Sequence, residues 1–276
     1  MRRIRMMPTL AGAAVLSASI AVFAPTAAHA AVPCNGPALV AAIATANGSG
    51  GGNITLTPGC TYTLTSPDNA GVHGANGLPV ITTTITLTGN NNTIARAAVA
   101  LPFRIVEVGA TGGLTLKSVT VQGGLAATSG GGGIYNAGAV TLTKSALVGN
   151  TALLGNGGGI YSGPAASAAA TFTGSTLSGN TAVAGDGGGL YSEGGTATVT
   201  SGFINGGNTG VRGGGVASVN AVFSITSTPV SANTATATAG GVYRQGGTMT
   251  VTTSPITGNS PNNCVGSVPA VPGCTA

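Results

Sequence analysis

Hydrophobic and polar residues recur in a fixed order through the second half of the chain. A run of glycines leads into one apolar residue, a segment of alternating threonine and apolar residues follows, and the unit ends at an apolar-x-x-Asn turn. Repetition at a fixed interval of this size is typical of solenoids and other repeat arrays. The glycine runs end at five positions separated by 26, 30, 26 and 26 residues: Gly133, Gly159, Gly189, Gly215 and Gly241.

The composition of these repeats predicts a β-solenoid in which each repeat forms one coil. Glycine costs about 1 kcal/mol in a helix interior, so repeats this rich in glycine are poor helices. Side chains alternate along a strand, and we therefore expect Val140 to point inward and Thr141 to point outward. At about 25 residues per coil, a length within the range of solenoid repeats, the chain would form about eight or nine coils.

An asparagine closes the repeats. The apolar-x-x-Asn turn ends at Asn150, Asn180, Asn233 and Asn259, and the coil that contains Asn208 is one residue longer, which predicts a bulge. Asparagine tolerates left-handed backbone, and identical stacked amides stabilise cross-β assemblies. We expect each asparagine amide to bond to that of the next coil.

The first thirty residues have the three parts of a secretory signal peptide. These parts are a basic segment, an apolar run and a small-residue cleavage motif: Arg2, Arg3 and Arg5, then residues 10–23, then Ala28-His29-Ala30. The apolar run is shorter than the about 20 residues that a membrane-spanning helix needs. Residues 1–30 are therefore predicted to be a signal peptide, and the protein is predicted to be secreted, with no transmembrane segment.

The remaining residues, 31–276, are predicted to form one β-helix domain with a cap at each end. The segment from Pro37 to Ala46 predicts a helix that would cover the first coil, as atypical terminal elements do in solenoids. We place the N-terminal cap over about residues 31–60. The proline-rich end of the chain would form a disulfide-closed cap over about residues 260–276.

Four cysteines lie near the ends of this domain. Secretion implies an oxidising compartment, in which cysteines usually pair. Three pairings are formally possible, but a solenoid holds its ends far apart, which favours Cys34–Cys60 and Cys264–Cys274. A metal site would need more ligands than the two cysteines of one pair and His73, the one histidine after the leader, can supply. We expect no metal and no cofactor.

The distribution of charge argues against nucleic-acid binding. The full sequence has nine lysines and arginines against four acidic residues, but three of the arginines lie in the leader. The six remaining cations are scattered, whereas nucleic-acid binding needs a basic stripe or patch. We expect no nucleic-acid partner.

The repeats resemble those of known proteins. The GGG-[ILV]-Y and apolar-x-x-Asn pair is similar to the GGA[I/L] and FxxN repeats of polymorphic outer-membrane proteins. The segments "CNGPALVAAIATANG", "GLPVITTTITLTGNNNTI" and "LTLKSVTVQGG" are similar to secreted parallel β-helix proteins of the pectate-lyase-like superfamily. The resemblance implies an all-β fold, a single-stranded right-handed parallel β-helix. It implies little about function, since this fold carries lyases, hydrolases, adhesins and inert scaffolds.

Candidate catalytic groups are few. Polysaccharide-cleaving enzymes need paired carboxylates or calcium-binding carboxylates with a base. After the leader the chain has only Asp68, Glu107, Asp186 and Glu193, and Glu107 lies in an earlier coil than the last two. In the repeat register Asp186 lies beside Arg212, which predicts an exposed ion pair. Glu193 could lie near Asp186, but two carboxylates fall short of the six to eight oxygens that calcium usually takes. We expect no catalytic residues.

A column of aromatic residues is the candidate binding site. The residue after the inward apolar position is Tyr135, Tyr161, Tyr191, Ala217 and Tyr243 in the five repeats. If the apolar residue points inward, the tyrosines point outward and stack, and they could bind a glycan. Stabilisation of neighbouring strands by stacked rings is the alternative. Polar residues that would flank the bound glycan follow in the next position: Asn136, Ser162, Ser192 and Arg244.

Outward threonines form a second regular feature. Thr-x-Thr ladders on a flat solenoid face resemble the ice-binding surface of some antifreeze proteins, although threonine is also an ordinary residue at exposed strand positions. Lys117 and Ser224 interrupt the columns, and we expect the 30-residue coil to disturb their flatness.

Together these features favour a secreted, non-catalytic protein with a surface, adhesive or glycan-contacting role. Its partner would be a polysaccharide or a cell-surface glycan. The alternatives are a polysaccharide-active enzyme, such as a lyase or a glycoside hydrolase, and an ice-binding protein that uses the Thr-x-Thr face. An enzyme would require acidic or basic groups that converge on one outer face.

Overall fold

The computed structural model describes residues 30–206 and 208–275, and its regular structure is one helix and 25 short strands. Helix α1 covers Gly36–Gly48. The strands of the first half are β1 (Gly51–Thr55), β2 (Thr61–Leu64), β3 (Thr84–Arg96), β4 (Val106–Val108), β5 (Gly113–Gln122), β6 (Leu125–Ala126), β7 (Ile134–Asn136), β8 (Ala139–Thr143), β9 (Ala146–Val148), β10 (Thr151–Ala152), β11 (Ile160–Ser162) and β12 (Ala169–Thr173). Those of the second half are β13 (Thr176–Ser178), β14 (Thr181–Ala182), β15 (Leu190–Glu193), β16 (Thr196–Thr200), β17 (Phe203–Ile204), β18 (Thr209–Arg212), β19 (Val216–Val219), β20 (Val222–Thr226), β21 (Val230–Ser231), β22 (Thr234–Thr238), β23 (Val242–Gln245), β24 (Thr248–Thr252) and β25 (Ile256–Thr257).

The strands stack in parallel as a right-handed β-solenoid of about six turns, which confirms the predicted fold class. A 14-stranded main sheet runs in the order β24-β20-β16-β12-β8-β5-β9-β13-β17-β21-β25, with β1, β2 and β3 attached at β5. A five-stranded sheet has the order β22-β18-β14-β10-β6, and a six-stranded sheet the order β23-β19-β15-β11-β7-β4. The turns are fewer than the eight or nine predicted, although eight strands from β1 to β24 stack in one column of the main sheet.

Each coil bends sharply between its two strands in the main sheet. The bend between β8 and β9 places Lys144 in the left-handed region with φ of 49°, and the next coils do the same at Gly174 and Ser201. The backbone N–H of Ser145 donates to the hydroxyl of Ser175 in the following coil at 3.1 Å. The Ser175 hydroxyl thus accepts a hydrogen bond from a backbone N–H that, at the bend, has no partner in the neighbouring strand.

The core is a stack of inward side chains, closed at the N-terminal end by helix α1. Leu142 and Phe172 occupy one column and are at most 1% exposed. The side chain of Asn35 accepts a hydrogen bond from the N–H of Ala38 and so caps α1, as asparagine commonly does. The predicted helix is confirmed, and its buried face meets the first coil through Leu39.

The predicted asparagine ladder is present and continuous. Asn150 Nδ2 donates to Asn180 Oδ1 at 3.0 Å, Asn180 to Asn208 at 2.9 Å, Asn208 to Asn233 at 2.8 Å and Asn233 to Asn259 at 3.0 Å. The expectation of left-handed backbone at the asparagines is wrong, because the preceding residue takes that conformation, as Gly149 (φ 59°), Gly179 and Ala232 do. The longer coil does not break the ladder, and a register shift lies between Gly210 and Arg212 of that coil.

The glycine runs pass from the five-stranded to the six-stranded sheet where neighbouring coils are in close contact. A Cβ atom on Gly133 would lie 2.7 Å from the carbonyl oxygen of Gly159 and 2.9 Å from the amide of Asn150. No side chain fits between these groups. The short distance between neighbouring coils therefore requires glycine here, and a glycine run recurs once in each repeat.

The ends of the solenoid carry the two disulfides that were predicted. Cys34 and Cys60 are joined with a Cα–Cα distance of 5.6 Å, and Cys264 and Cys274 with one of 6.5 Å. The predicted signal peptide lies outside the described residues, apart from Ala30. Within the described part of the chain, no helix is long and apolar enough to cross a membrane.

Candidate functional site

The four tyrosines lie in one column of the six-stranded sheet, in the register that the repeats indicate. Tyr135, Tyr161 and Tyr191 are paired neighbours on β7, β11 and β15, and Ala217 on β19 separates them from Tyr243 on β23. The ring centroids of Tyr135 and Tyr161 are 4.8 Å apart, and those of Tyr161 and Tyr191 are 5.4 Å apart. Stacking at these distances is favourable for aromatic rings and ties successive coils together.

The column lies outside the main core but is largely covered. Tyr135, Tyr191 and Tyr243 are only 5%, 6% and 7% exposed, and Tyr161 is half-buried. The glycine loop before β7 passes over it, since a Cβ atom on Gly130 would lie 3.0 Å from the ring of Tyr161. The ring faces are therefore occupied by one another and by loops. That the tyrosines bind a glycan stays a prediction, and their burial gives it no support.

The polar residues that were expected to flank a bound glycan point into the solenoid. Alternation along the strands gives Asn136, Ser162 and Ser192 the inward orientation, and all three are at most 1% exposed. Arg244 continues this column and is 9% exposed. Its guanidinium donates to three backbone carbonyl oxygens near the C-terminus, those of Gly246, Gly247 and Ala270. Arg244 thus holds the C-terminal segment, and its role in glycan binding stays a prediction.

A cluster of polar and charged side chains continues the tyrosine column toward the N-terminus. Glu107 pairs in register with Tyr135, and the ring of His73 stacks on Tyr135 with centroids 3.9 Å apart. His73 Nδ1 lies 2.8 Å from Glu107 Oε1, and Asn76 Nδ2 donates to Glu107 Oε2 at 3.0 Å. Arg104 NH1 lies 3.5 Å from the same Oε2 atom. The loop between β2 and β3 is fastened to the solenoid by these contacts.

The cluster brings Glu107 together with basic groups that sequence analysis did not place beside it. His73 lies in an irregular loop, so no repeat register relates it to Glu107. Burial lowers the pKa of Arg104, and attraction to Glu107 opposes that shift. Glu107 and Arg104 are 2% and 1% exposed, and the Glu107 oxygens are occupied by His73, Asn76 and Arg104. A carboxylate held in this way is poorly placed to take a proton from a substrate.

The remaining carboxylates beside the column also have structural partners. The predicted pair of Asp186 and Arg212 is present, with 2.6 Å between Oδ2 and NH2, but Asp186 is buried rather than exposed. The hydrogen bond to Asp186 raises the pKa of Arg212, which also donates to the hydroxyl of Tyr243 at 2.8 Å. Tyr161 donates to Glu193 Oε2 at 2.8 Å, and burial together with this bond raises the pKa of Tyr161.

A regular array of threonines covers the outside of the main sheet, and we call it the threonine face. It consists of two columns of outward residues on β1, β3, β5, β8, β12, β16, β20 and β24, which pair in register. One column is Asn53, Thr86, Thr115, Thr141, Thr171, Thr198, Ser224 and Thr250, and the other is Thr55, Thr88, Lys117, Thr143, Thr173, Thr200, Thr226 and Thr252. Thirteen of the sixteen positions are threonine.

The 30-residue coil causes no shift of register in this face, and its effect on flatness stays a prediction. Thr171 pairs with Thr141 on one side and with Thr198 on the other, with no register shift. The additional residues form the turn between Ser162 and Ala169, at the corner that joins the six-stranded sheet to the main sheet. The length of a turn changes there while the strands keep their positions. With strands about 4.8 Å apart, the eight strands span about 34 Å.

The chemistry of the threonine face is uniform. Among the described residues, none of its threonine hydroxyls forms a hydrogen bond within the chain, and Lys117 is its one charged position. Each threonine therefore offers a methyl group and an unpaired hydroxyl to whatever contacts the face.

Comparison of the sequence and the structure with protein families, with curated proteins and with solved structures finds no match.

Proposed function

We propose that this protein is a secreted, non-catalytic surface protein that contacts an extended polysaccharide through its threonine face. The two in-register columns of outward threonines on eight neighbouring strands carry this proposal. A polysaccharide presents hydroxyl groups at a regular interval along its length, and the face presents methyl and hydroxyl groups at about 4.8 Å from coil to coil. Repetition on both partners allows many weak contacts to act together.

The near absence of charge on the face indicates which polymers suit it. Lys117 supplies one positive charge on the third of the eight strands, and the other fifteen positions are neutral. A strongly anionic polymer would gain little from this surface, since attraction to one exposed lysine is screened by salt. We therefore expect neutral or weakly acidic polysaccharides to bind.

Export and superfamily membership form part of the same proposal. Two disulfide bonds fit an oxidising compartment, and we infer that residues 1–30 direct the chain there. We also infer that the chain is a member of the pectate-lyase-like superfamily. The repeat motifs and the right-handed parallel solenoid support that inference.

Sedimentation with insoluble polysaccharides, together with calorimetry on soluble ones, tests the proposal. Thr171→Glu places a carboxylate in the centre of one column and should raise the dissociation constant about tenfold, which corresponds to about 1.4 kcal/mol. The matched control is Thr181→Glu, which makes the same change on the five-stranded sheet. Both are surface changes that should alter the free energy of unfolding by no more than about 0.5 kcal/mol.

A further variant separates the threonine face from the tyrosine column. Tyr161→Phe removes the hydroxyl that bonds to Glu193 and keeps the ring, and it should leave polysaccharide binding unchanged. Equal loss of binding in Thr171→Glu and Thr181→Glu, or no binding by the unaltered protein, would contradict the proposal. Release of new chain ends from a polysaccharide would contradict its non-catalytic part.

Ice binding is a second candidate function for the same face. The observation that favours it is that the 30-residue coil leaves the two columns in register, so the threonines on either side of that coil remain aligned. Partition of the protein into growing ice would test this function. Ice would be favoured as the ligand if the unaltered protein and Thr181→Glu enter the ice, Thr171→Glu does not, and none of the three binds polysaccharide.

A further inference from the structure

The C-terminal end of the solenoid is completed on two of its three sheets. After β25 the chain continues one coil further, where Ser260 bridges to Thr234 on β22 and Val268 bridges to Gln245 on β23. Cys264–Cys274 then closes this segment on itself. No described residue of the segment pairs with β24 or β25, which have only β20 and β21 as neighbours. The final coil therefore lacks its strand on the main sheet.

The outer edge of β24 presents backbone groups to this gap. The N–H of Thr248 donates to the carbonyl oxygen of Ala221, next to β20. Because successive residues of a strand direct their N–H and C=O groups to opposite edges, the backbone groups of Thr250 and Thr252 also face β20. Met249 and Val251 consequently turn their N–H and C=O groups to the outer edge, where no described strand lies. A row of unpaired backbone donors and acceptors is a template for another strand.

The side chains at this edge are unevenly covered, since Met249 is 7% exposed and the C-terminal segment adds Val271 to the core at 4% exposure. Val251 ends an inward column in which Leu142, Phe172, Val199 and Ile225 are at most 1% exposed. Val251 itself is only partly buried. Val251 is therefore the inward residue of β24 that the C-terminal segment leaves partly open to solvent.

Protein edges are usually protected by charge, proline or a bulge, and β24 has none of these. Its sequence, Thr248–Thr252, alternates threonine with methionine and valine, and it pairs with β20 without a register shift. The opposite end differs, because helix α1 covers it and buries Leu39 and Ile43 completely. The outer backbone edge of β24 is thus unpaired and of high strand propensity.

We propose that the outer edge of β24 binds one extended peptide segment of a partner protein, which adds a strand to the main sheet. Main-chain hydrogen bonds to Met249 and Val251 would supply affinity, as in other cases of strand addition. Apolar side chains at alternate positions of the peptide would cover Val251, and the positions between them would extend the threonine face by one strand. The partner segment is therefore an uncharged strand with alternating apolar and small polar residues.

The shape of the end favours a single segment over a second solenoid. The C-terminal segment stands one strand beyond β22 and β23, about 4.8 Å further along the axis. The end of a second copy would meet this segment on the other two sheets before its own strand reached β24. One extended peptide fits the gap without that contact.

Fluorescence anisotropy with a labelled peptide tests this inference. The probe is a synthetic peptide with the sequence of residues 221–231, AVFSITSTPVS, which has the required alternation and pairs with β24 from the other side within the chain. Val251→Pro removes one outer N–H and leaves the bonds to β20 intact, since proline is tolerated on that side of an edge strand. Its control, Val251→Ala, shortens the side chain but keeps the N–H.

We expect saturable binding with one peptide per protein. Val251→Pro removes the hydrogen bond from the N–H of residue 251 to the peptide, and this loss should weaken binding about tenfold relative to Val251→Ala. No peptide binding by the unaltered protein, or equal affinity in the two variants, would overturn the inference. If sedimentation shows that the unaltered protein is a dimer and that Val251→Pro is not, the occupant of the edge is a second copy of the chain and the inference is overturned.

Discussion

The asparagine ladder offers the sharpest test of what holds the coils together, and Asn180→Ala is the change that tests it. Asn180 is fully buried. Its Oδ1 accepts from the backbone N–H of Asn150 at 3.1 Å and from the Asn150 amide at 3.0 Å. Its Nδ2 donates to the carbonyl of Leu147 at 2.9 Å and to Asn208 Oδ1 at 2.9 Å. One substitution therefore removes four hydrogen bonds between three coils.

The magnitude follows from what the substitution leaves behind. The backbone N–H of Asn150 would be buried without an acceptor, which costs about 1–3 kcal/mol. The other three bonds contribute a net of about 0.5–1.5 kcal/mol each, and parts of these terms overlap because the groups are shared. We expect the free energy of unfolding to fall by about 3–5 kcal/mol, against the about 5–15 kcal/mol that is typical of a domain.

Urea unfolding followed by circular dichroism measures this loss. Thr181→Ala, at the next residue, is the control, since its partly exposed side chain takes no part in the ladder and the change should cost about 0.5 kcal/mol or less. A loss below about 1 kcal/mol in Asn180→Ala, within the net value of a single hydrogen bond, would refute the reasoning. In that case the stacked core alone would hold the coils in register.

Three further predictions concern the core, the N-terminal cap and the tyrosine column. Leu190 is fully buried, so Leu190→Asp should prevent folding by placing an unpaired charge in the core, whereas Thr198→Asp should be tolerated; equal loss of thermal stability would contradict the register. Replacing both Cys34 and Cys60 by alanine should lower the free energy of unfolding in urea by about 3 kcal/mol, from the closure of a loop of this size. Burial raises the pKa of Tyr191 from 10.0 to about 12. The neutral form is therefore favoured in the folded state, and the stability it contributes is present below pH 10 and lost as the pH rises toward 12. In Tyr191→Phe the free energy of unfolding should fall less between about pH 10 and 12 than in the unaltered protein. An unchanged fall would mean that another group causes it.

The repeat pattern was sufficient to predict the solenoid, the strand register and the stacking of the asparagines. These features depend on contacts between a residue and its equivalent one coil away. Thr171 meets Thr141 because the same short pattern of strand and turn precedes both. The helix at 36–48 was predictable because an open solenoid end needs a cover, and the two disulfide pairings were predictable because a solenoid holds its ends far apart.

The chemistry of the candidate sites depended on contacts that have no period. His73 reaches Tyr135 through an irregular loop, and its contact with Glu107 joins residues 34 positions apart. The tyrosines point away from the core as the alternation requires, but the glycine loops cover them, and only the folded path of those loops decides that.

The threonine face and the open edge at β24 show the same division. The sequence alone determined that threonines alternate along each strand. Only the tertiary structure decided that the four additional residues of the 30-residue coil lie in a corner turn, which leaves the face in register. It also decided that the C-terminal segment pairs on two sheets and leaves β24 uncovered. Local patterns encode which way a side chain points, whereas what lies above it is determined by where distant, non-repeating segments of the chain come to pack.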